Sequence, residues 1–159
     1  MEERTILIVE DNRDDEALIL RAFEKNKIKS NLFIARDGAE ALDWLFRKGV
    51  YKDRADEKLP VLIIMDLKLP KINGLEVLKE IRTNNKTKLL PIVILTTSVE
   101  ESDILESYKL QANSYIKKPV DFNQFSNVVK SLSHYWLELN QNLPAMDYSS
   151  PEMQKCRMN

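Results

Sequence analysis

The chain has 159 residues, 43% of them hydrophobic; at that length it can bury roughly 70% of the surface it exposes when unfolded, which suits one domain with a real core and leaves little space for two. Lysine and arginine total 24 against 25 aspartates and glutamates, for a net charge of -1, so no basic excess draws the protein to nucleic acid. The single cysteine, Cys156, and single histidine, His134, exclude an internal disulfide and a thiolate or histidine metal centre, and the lack of a basic-then-apolar start or of 18 apolar residues in a row predicts a cytoplasmic protein that does not engage membranes.

In chain order, the apolar run Ile6 to Val9 predicts the first strand. Asp14 to Lys27 follows as a helix, with Ala17, Leu18, Ala22 and Phe23 on one stripe. Leu32 to Ala35 is the second strand, and Ala39 to Lys48 the second helix, striped by Leu42, Leu45 and Phe46. Gly49 to Pro60 holds six charged residues in twelve and no apolar period, so it reads as an exposed loop away from the core. Val61 to Met65 predicts the third strand and Leu75 to Arg82 the third helix, with Leu75, Leu78 and Ile81 inward. Pro91 to Leu95 is the fourth strand, Glu100 to Leu110 a fourth helix with the thin stripe Ile104, Leu105 and Tyr108, and Tyr115 to Ile116 the fifth strand. Asp121 to Leu139 is a long fifth helix, and the polar segment after it predicts a disordered tail over residues 143–159 behind a domain of residues 1–142.

Strands alternating with helices predict a doubly wound α/β fold of the flavodoxin-like (βα)5 type, with a parallel sheet in the order 2-1-3-4-5 and an extended last helix. Three of the runs are apolar without alternation, as expected of strands covered on both faces.

In such a sheet, ligands bind beyond the carboxyl ends of the strands. The residues delivered there are Glu10 and Asp11 after strand 1, Asp66 after strand 3, Thr96, Thr97 and Ser98 after strand 4, and Lys117 and Lys118 after strand 5. Three carboxylates in one cleft repel one another unless a cation offsets them. Magnesium suits this donor set, because it prefers oxygen ligands and is commonly held by one or two carboxylates together with phosphate oxygens. Taken singly, each residue has a plain reading: Glu10 and Asp11 as solvated loop residues, with Asp11 capping the next helix; Lys118 as a surface lysine; Tyr115 as a half-buried strand tyrosine. Asp66 fits such a reading least, since an unpaired charge directly after Val61 to Met65 is costly.

Taken together, Glu10-Asp11-Asn12, Asp66 followed by Pro70 and Asn73-Gly74, Thr96-Thr97, and Tyr115-Ile116-Lys117-Lys118-Pro119 resemble the receiver domain of two-component response regulators across about residues 4 to 137. The resemblance implies that Asp66 accepts a phosphoryl group from a sensor histidine kinase. It implies Asp11 as a direct Mg2+ ligand, Glu10 as one acting through water, Asp66 as a third, and the Lys68 carbonyl completing the set. Lys118 would pair with Asp66 and then with phosphoryl oxygens, while Thr96 and the Thr97 backbone amide donate to them. Thr96 and Tyr115 would form the switch that remodels the face built by helix 4, strand 5 and helix 5. It also implies a cis Lys118-Pro119 peptide that aims the lysine into the cleft. Pro70 would stiffen the loop after Asp66 and Gly74 would supply an unusual backbone angle.

The chain departs from the family in having Gln111-Ala112 where receivers often have Gly-Ala, which puts that loop's shape in question. The long fifth helix, ending in Tyr135, Trp136 and Leu139, either folds back on its own domain or forms a homodimer or partner patch. With the charged loop and the Glu-Asp-Asn start, it also resembles the small single-domain regulators that partner with bacterial phytochrome-type histidine kinases. His134 reads as a helix-surface residue. The protein is expected not to be an enzyme beyond self-catalysed phosphoryl acceptance and loss, and to act by protein contact. A receiver-like adaptor that is never phosphorylated is the first rival. A nucleotide-binding protein is disfavoured by only three scattered glycines, and a dehalogenase-type aspartate phosphatase by the position of Asp66 after the third strand.

Overall fold

The computed structural model describes residues 4–54 and 59–144; most of the predicted tail over 143–159 lies outside the described residues. The elements run β1 (Thr5–Val9), α1 (Arg13–Lys25), β2 (Asn31–Ala35), α2 (Gly38–Phe46), a 3-10 turn (Gly49–Tyr51), β3 (Leu62–Met65), α3 (Gly74–Thr83), β4 (Ile92–Thr96), α4 (Glu101–Lys109), β5 (Ser114–Lys117) and α5 (Phe122–Ser133), which continues as a π-helical segment (His134–Leu139). The strands form one parallel sheet in the order β2-β1-β3-β4-β5, as the sequence predicts.

Alternation along the strands builds a core on each face. Leu7, Val9, Ile63, Met65, Ile92 and Ile94 point to one side, where α2 and α3 bring Trp44, Leu45, Val77, Leu78 and Ile81. Ile6, Ile8, Leu62, Ile64, Val93 and Leu95 point to the other and meet Ile19, Ala22 and Phe23 of α1 and Phe125, Val129 and Leu132 of α5. The fourth helix is different. Its stripe is not buried: Leu105 is 55% and Tyr108 51% exposed, and Ser107 is the one buried residue of α4.

The loop after α2 does not sit wholly away from the core. Tyr51 stands edge-on to Phe33, with ring centroids 5.5 Å apart, and donates its hydroxyl to Glu40 at 2.9 Å. Leu59 packs against the α2–α3 core and Pro60 is buried. Tyr51, Leu59 and Pro60 pin a segment in which Gly49, Val50, Lys52 and Asp53 face water.

The last helix changes pitch rather than running on unaltered. Phe125, Val129 and Leu132 keep the α-helical phase, which would next bury residue 136. The wider π turn slips the phase by one residue, so Leu137 is buried and Trp136 lies half-buried on the flank of the same core. Arg4 of the segment before β1 donates to the Leu137 carbonyl and ties the extension to the domain. The two expected outcomes for this end therefore divide by residue: Leu137 and Trp136 fold back, while Tyr135 and Leu139 are exposed. His134 is exposed and pairs with Glu138 one turn on.

Candidate functional site

Strand register places the site. Val9 lies beside Met65 and Met65 beside Ile94, so Glu10 and Asp66 emerge next to each other at the same rim. The Asp66 amide donates to the Val9 carbonyl at 3.1 Å, and the Lys118 amide to the Thr96 carbonyl at 2.7 Å. These ladder bonds bring four distant segments to one edge before any side chain acts.

The loop from Asp66 to Gly74 is wedged in place. A β-carbon on Gly74 would lie 2.5 Å from the Asp66 carbonyl oxygen and 2.6 Å from the Leu67 α-carbon. The Gly74 amide also donates to the Leu67 carbonyl at 2.8 Å. Glycine is needed here for close approach of α3, not for its backbone angle as expected. The left-handed residue of this loop is Lys71, with φ 64°.

At the rim, Glu10, Asp11 and Asp66 each offer a carboxylate oxygen within 4.8 Å of the others. Glu10 is 2% and Asp66 8% exposed, while Asp11 faces solvent. Asp11 does not cap α1. Asn12 does, accepting from the amides of Asp14 at 2.9 Å and Asp15 at 3.0 Å, which leaves the Asp11 carboxylate available.

Lys118, 5% exposed, places its ammonium among three carboxylates: Glu10 Oε2 at 2.7 Å, Asp15 Oδ2 at 2.8 Å and Asp66 Oδ2 at 2.8 Å. An ammonium has three donors, and here three carboxylates surround them. Burial alone would lower the lysine's pKa, but its hydrogen bonds to Asp15, Asp66 and Glu10 outweigh that and hold it above the ordinary value. Burial pushes the Glu10 carboxyl up, against the opposing pull of Lys118. Its other oxygen accepts from the Asn12 amide at 3.0 Å. The lysine reaches the cleft without a cis peptide: none occurs among the described residues, so Lys118-Pro119 is trans, and the extended strand end with the long side chain spans the gap.

The buried Glu10 and Asp66 and the more open Asp11 and Asp15 thus gather around one ammonium, an excess of negative charge that a further cation would offset. The donor set is oxygen alone, which fits a hard divalent ion such as Mg2+.

On the other side of Asp66, the Lys68 amide donates to Oδ1 at 3.3 Å. Thr96 is fully buried at the end of β4, and its hydroxyl oxygen accepts from the Ser98 amide at 3.4 Å; Thr97 is exposed beside it. The Ser98 hydroxyl donates to Asp103 at 2.6 Å, and the Tyr115 hydroxyl donates to the Ser98 carbonyl at 2.9 Å. Burial raises the Tyr115 pKa.

The family model of the response regulator receiver domain matches residues 6–130. The chain belongs to the response regulator receiver family. It is 38% identical over 142 residues to response regulator Rcp1 of Synechocystis sp., an alignment covering 89% of this chain and 94% of that protein. The crystal structure of the phosphorylated cyanobacterial phytochrome response regulator RcpA superposes with a TM-score of 0.82 at 37% identity, over 89% of this chain and 99% of that one. The manganese-bound form of Rcp1 superposes at 0.80 with 36% identity, over 88% and 99%. The bacteriophytochrome response regulator RtBRR, 41% identical, superposes at 0.73 over 98% and 91%.

Of the residues read from the sequence, this receiver brings together Glu10, Asp11, Asp66 and Lys118 and sets Thr96 and Thr97 at the adjoining strand end, while the observed contact of Lys68 is its amide on Asp66 rather than its carbonyl. Tyr115, on β5, stands apart from them, with its hydroxyl on the Ser98 carbonyl of the β4–α4 loop. Sequence reasoning missed Asp15 and the Ser98–Asp103 pair. An acidic residue in the first turn of a helix is common for the helix dipole alone, so Asp15 carried no distinguishing signal. Among the described residues no helix is long and apolar enough to cross a membrane.

Proposed function

We propose that this receiver is a phospho-switch: Asp66 takes a phosphoryl group from a phosphohistidine of a sensor histidine kinase in a Mg2+-dependent reaction. The observation that carries the reading is the Lys118 ammonium 2.8 Å from Asp66, beside the Glu10, Asp11 and Asp66 cluster. An Asp66 oxygen attacks phosphorus, a P–O bond forms as the P–N bond breaks, and the electron pair leaves with the histidine nitrogen. Asp11 and Asp66 would hold the ion directly, Glu10 would hold it through water, and the Lys68 carbonyl would complete the protein's share. Bound there, the ion supplies charge neutralisation for the oxygens of the group in flight. Lys118 turns an N–H toward a phosphoryl oxygen, and the Thr96 hydroxyl and Thr97 amide donate to the others. Water later cleaves the acyl phosphate; no further catalytic activity is assigned.

Drawing Thr96 toward the phosphoryl group disturbs the Ser98 amide that now donates to it, and Ser98 is the residue whose carbonyl holds Tyr115. That chain of contacts supports a switched α4-β5-α5 face, where Val99, Leu105 and Tyr108 are exposed, with a homodimer as one output. Likeness to RcpA and RtBRR supports a phytochrome-type kinase as donor. The balanced charge and the absence of a membrane-crossing helix among the described residues support protein contact in the cytoplasm rather than DNA or lipid binding.

Incubation with acetyl phosphate and Mg2+ should add one hydroxylamine-labile phosphoryl group, seen by intact mass, that is lost in Asp66→Asn and on chelation. An unmodified wild-type protein would support the adaptor reading instead.

A further inference from the structure

Of the three carboxylates on Lys118, two belong to the cation cluster and one does not. Asp15 lies outside the group formed by Glu10, Asp11 and Asp66, yet its Oδ2 is as close to the ammonium as that of Asp66. Its side chain keeps 27% of its exposure, against 5% for the lysine. Its position is set from below: Glu10 accepts from the Asn12 amide, and the Asn12 side chain accepts from the Asp14 and Asp15 amides. The first turn of α1 is thereby locked to the rim, with Asp15 at its third residue facing Lys118.

Three carboxylates surround the three N–H donors of Lys118, Asp15 and Asp66 by hydrogen bonds and Glu10 by an ion pair at 2.7 Å, so one of them must give way before the lysine can serve a phosphoryl oxygen. Glu10 and Asp66 would each have the metal ion as a second partner. Asp15 has the lysine alone.

We propose that Asp15 is a positioning residue that competes with the phosphoryl group for Lys118, and so restrains how tightly the site holds that group; this rests on the phospho-switch reading above. Two costs follow from its charge. The lysine must break a charge-assisted bond, and the incoming anion must approach a carboxylate that shares the same ammonium. Asparagine at 15 keeps a hydrogen-bond acceptor of the same shape and removes both charge-dependent costs. Lys118 stays oriented by Glu10 and Asp66.

The test is calorimetric titration of the full chain at saturating Mg2+ with trifluoroberyllate, a mimic of the phosphoryl group. Asp15→Asn should bind the mimic roughly threefold to tenfold tighter than wild type, and Asp15→Glu, which restores the charge, should return toward the wild-type value. Mg2+ affinity measured without the mimic should not rise in Asp15→Asn. A merely structural residue in the first turn of α1 would change thermal stability and leave anion affinity alone. Unchanged or weaker binding of the mimic by Asp15→Asn, or an equal gain in Asp15→Glu, overturns the proposal while the phospho-switch stands. Failure of the wild type to bind the mimic at all overturns both.

Discussion

The third and fourth helices lie on the same side of the sheet and have nearly the same length, but they are held in opposite ways. α3 buries Gly74, Val77, Leu78 and Ile81, and its first residue is pressed against the backbone of the Asp66 loop. α4 buries one serine and turns Leu105 and Tyr108 outward. The difference teaches where rigidity is required: the helix that positions Asp66, the proposed phosphoacceptor, is anchored in the core, and the helix that would report its state is left with few contacts to break. Elements that move are drawn from the weakly held end of a structure.

The contrast is broken most directly in the core. Leu78→Ala should lower the unfolding free energy by about 2–5 kcal/mol, whereas Leu105→Ala should stay within about 0.5 kcal/mol, both by urea denaturation. Equal losses would mean that α4 is packed as tightly as α3.

Much of the scaffold behind this contrast was legible in the sequence. Unbroken runs such as Ile92 to Leu95 can be satisfied only where both faces are covered, so strand existence and the chemistry of the rim could be read together. The stripe of α4 could not. Ile104, Leu105 and Tyr108 have helical spacing, but spacing does not say which side of a helix meets a sheet. Asp15 was hidden for a related reason: its partner lies 103 residues away, and its local context explains it well enough without one. The glycine at 74 was read as necessary for the wrong reason, because close backbone approach across a loop leaves no periodic trace.

A second way to sharpen the contrast is to cut the tie between the two helices. Arg82, near the end of α3, donates to the carbonyls of Lys88, Leu90 and Gln111 and to the Asn113 side chain, at 2.7–3.1 Å. Desolvation lowers its pKa, as expected of a guanidinium facing carbonyls rather than carboxylates. Arg82→Ala should cost about 2–3 kcal/mol and speed amide exchange in residues 109–113 more than in α3. Uniform acceleration in both helices would show that the arginine is not a local fastening.

A small effect of the opposite sign is expected at the turn that leads from α4 into β5. Gln111 has φ 66°, a left-handed angle that glycine adopts more readily, so the departure from Gly-Ala leaves the loop shape intact at an energetic cost. Gln111→Gly should raise stability by about 0.5–1 kcal/mol in a thermal melt. A loss would mean that the glutamine side chain contributes more than its backbone angle costs.

The pitch change at His134–Leu139 bears on what can follow the domain. A widened turn works as a vernier: by admitting one more residue per winding, it sets the compass direction in which the chain departs, independently of how the sheet beneath is filled. Because Leu137 is clasped inward and Arg4 grips its carbonyl, that heading is fixed by the body of the protein. The chain at Asn140 therefore leaves the domain along a set bearing.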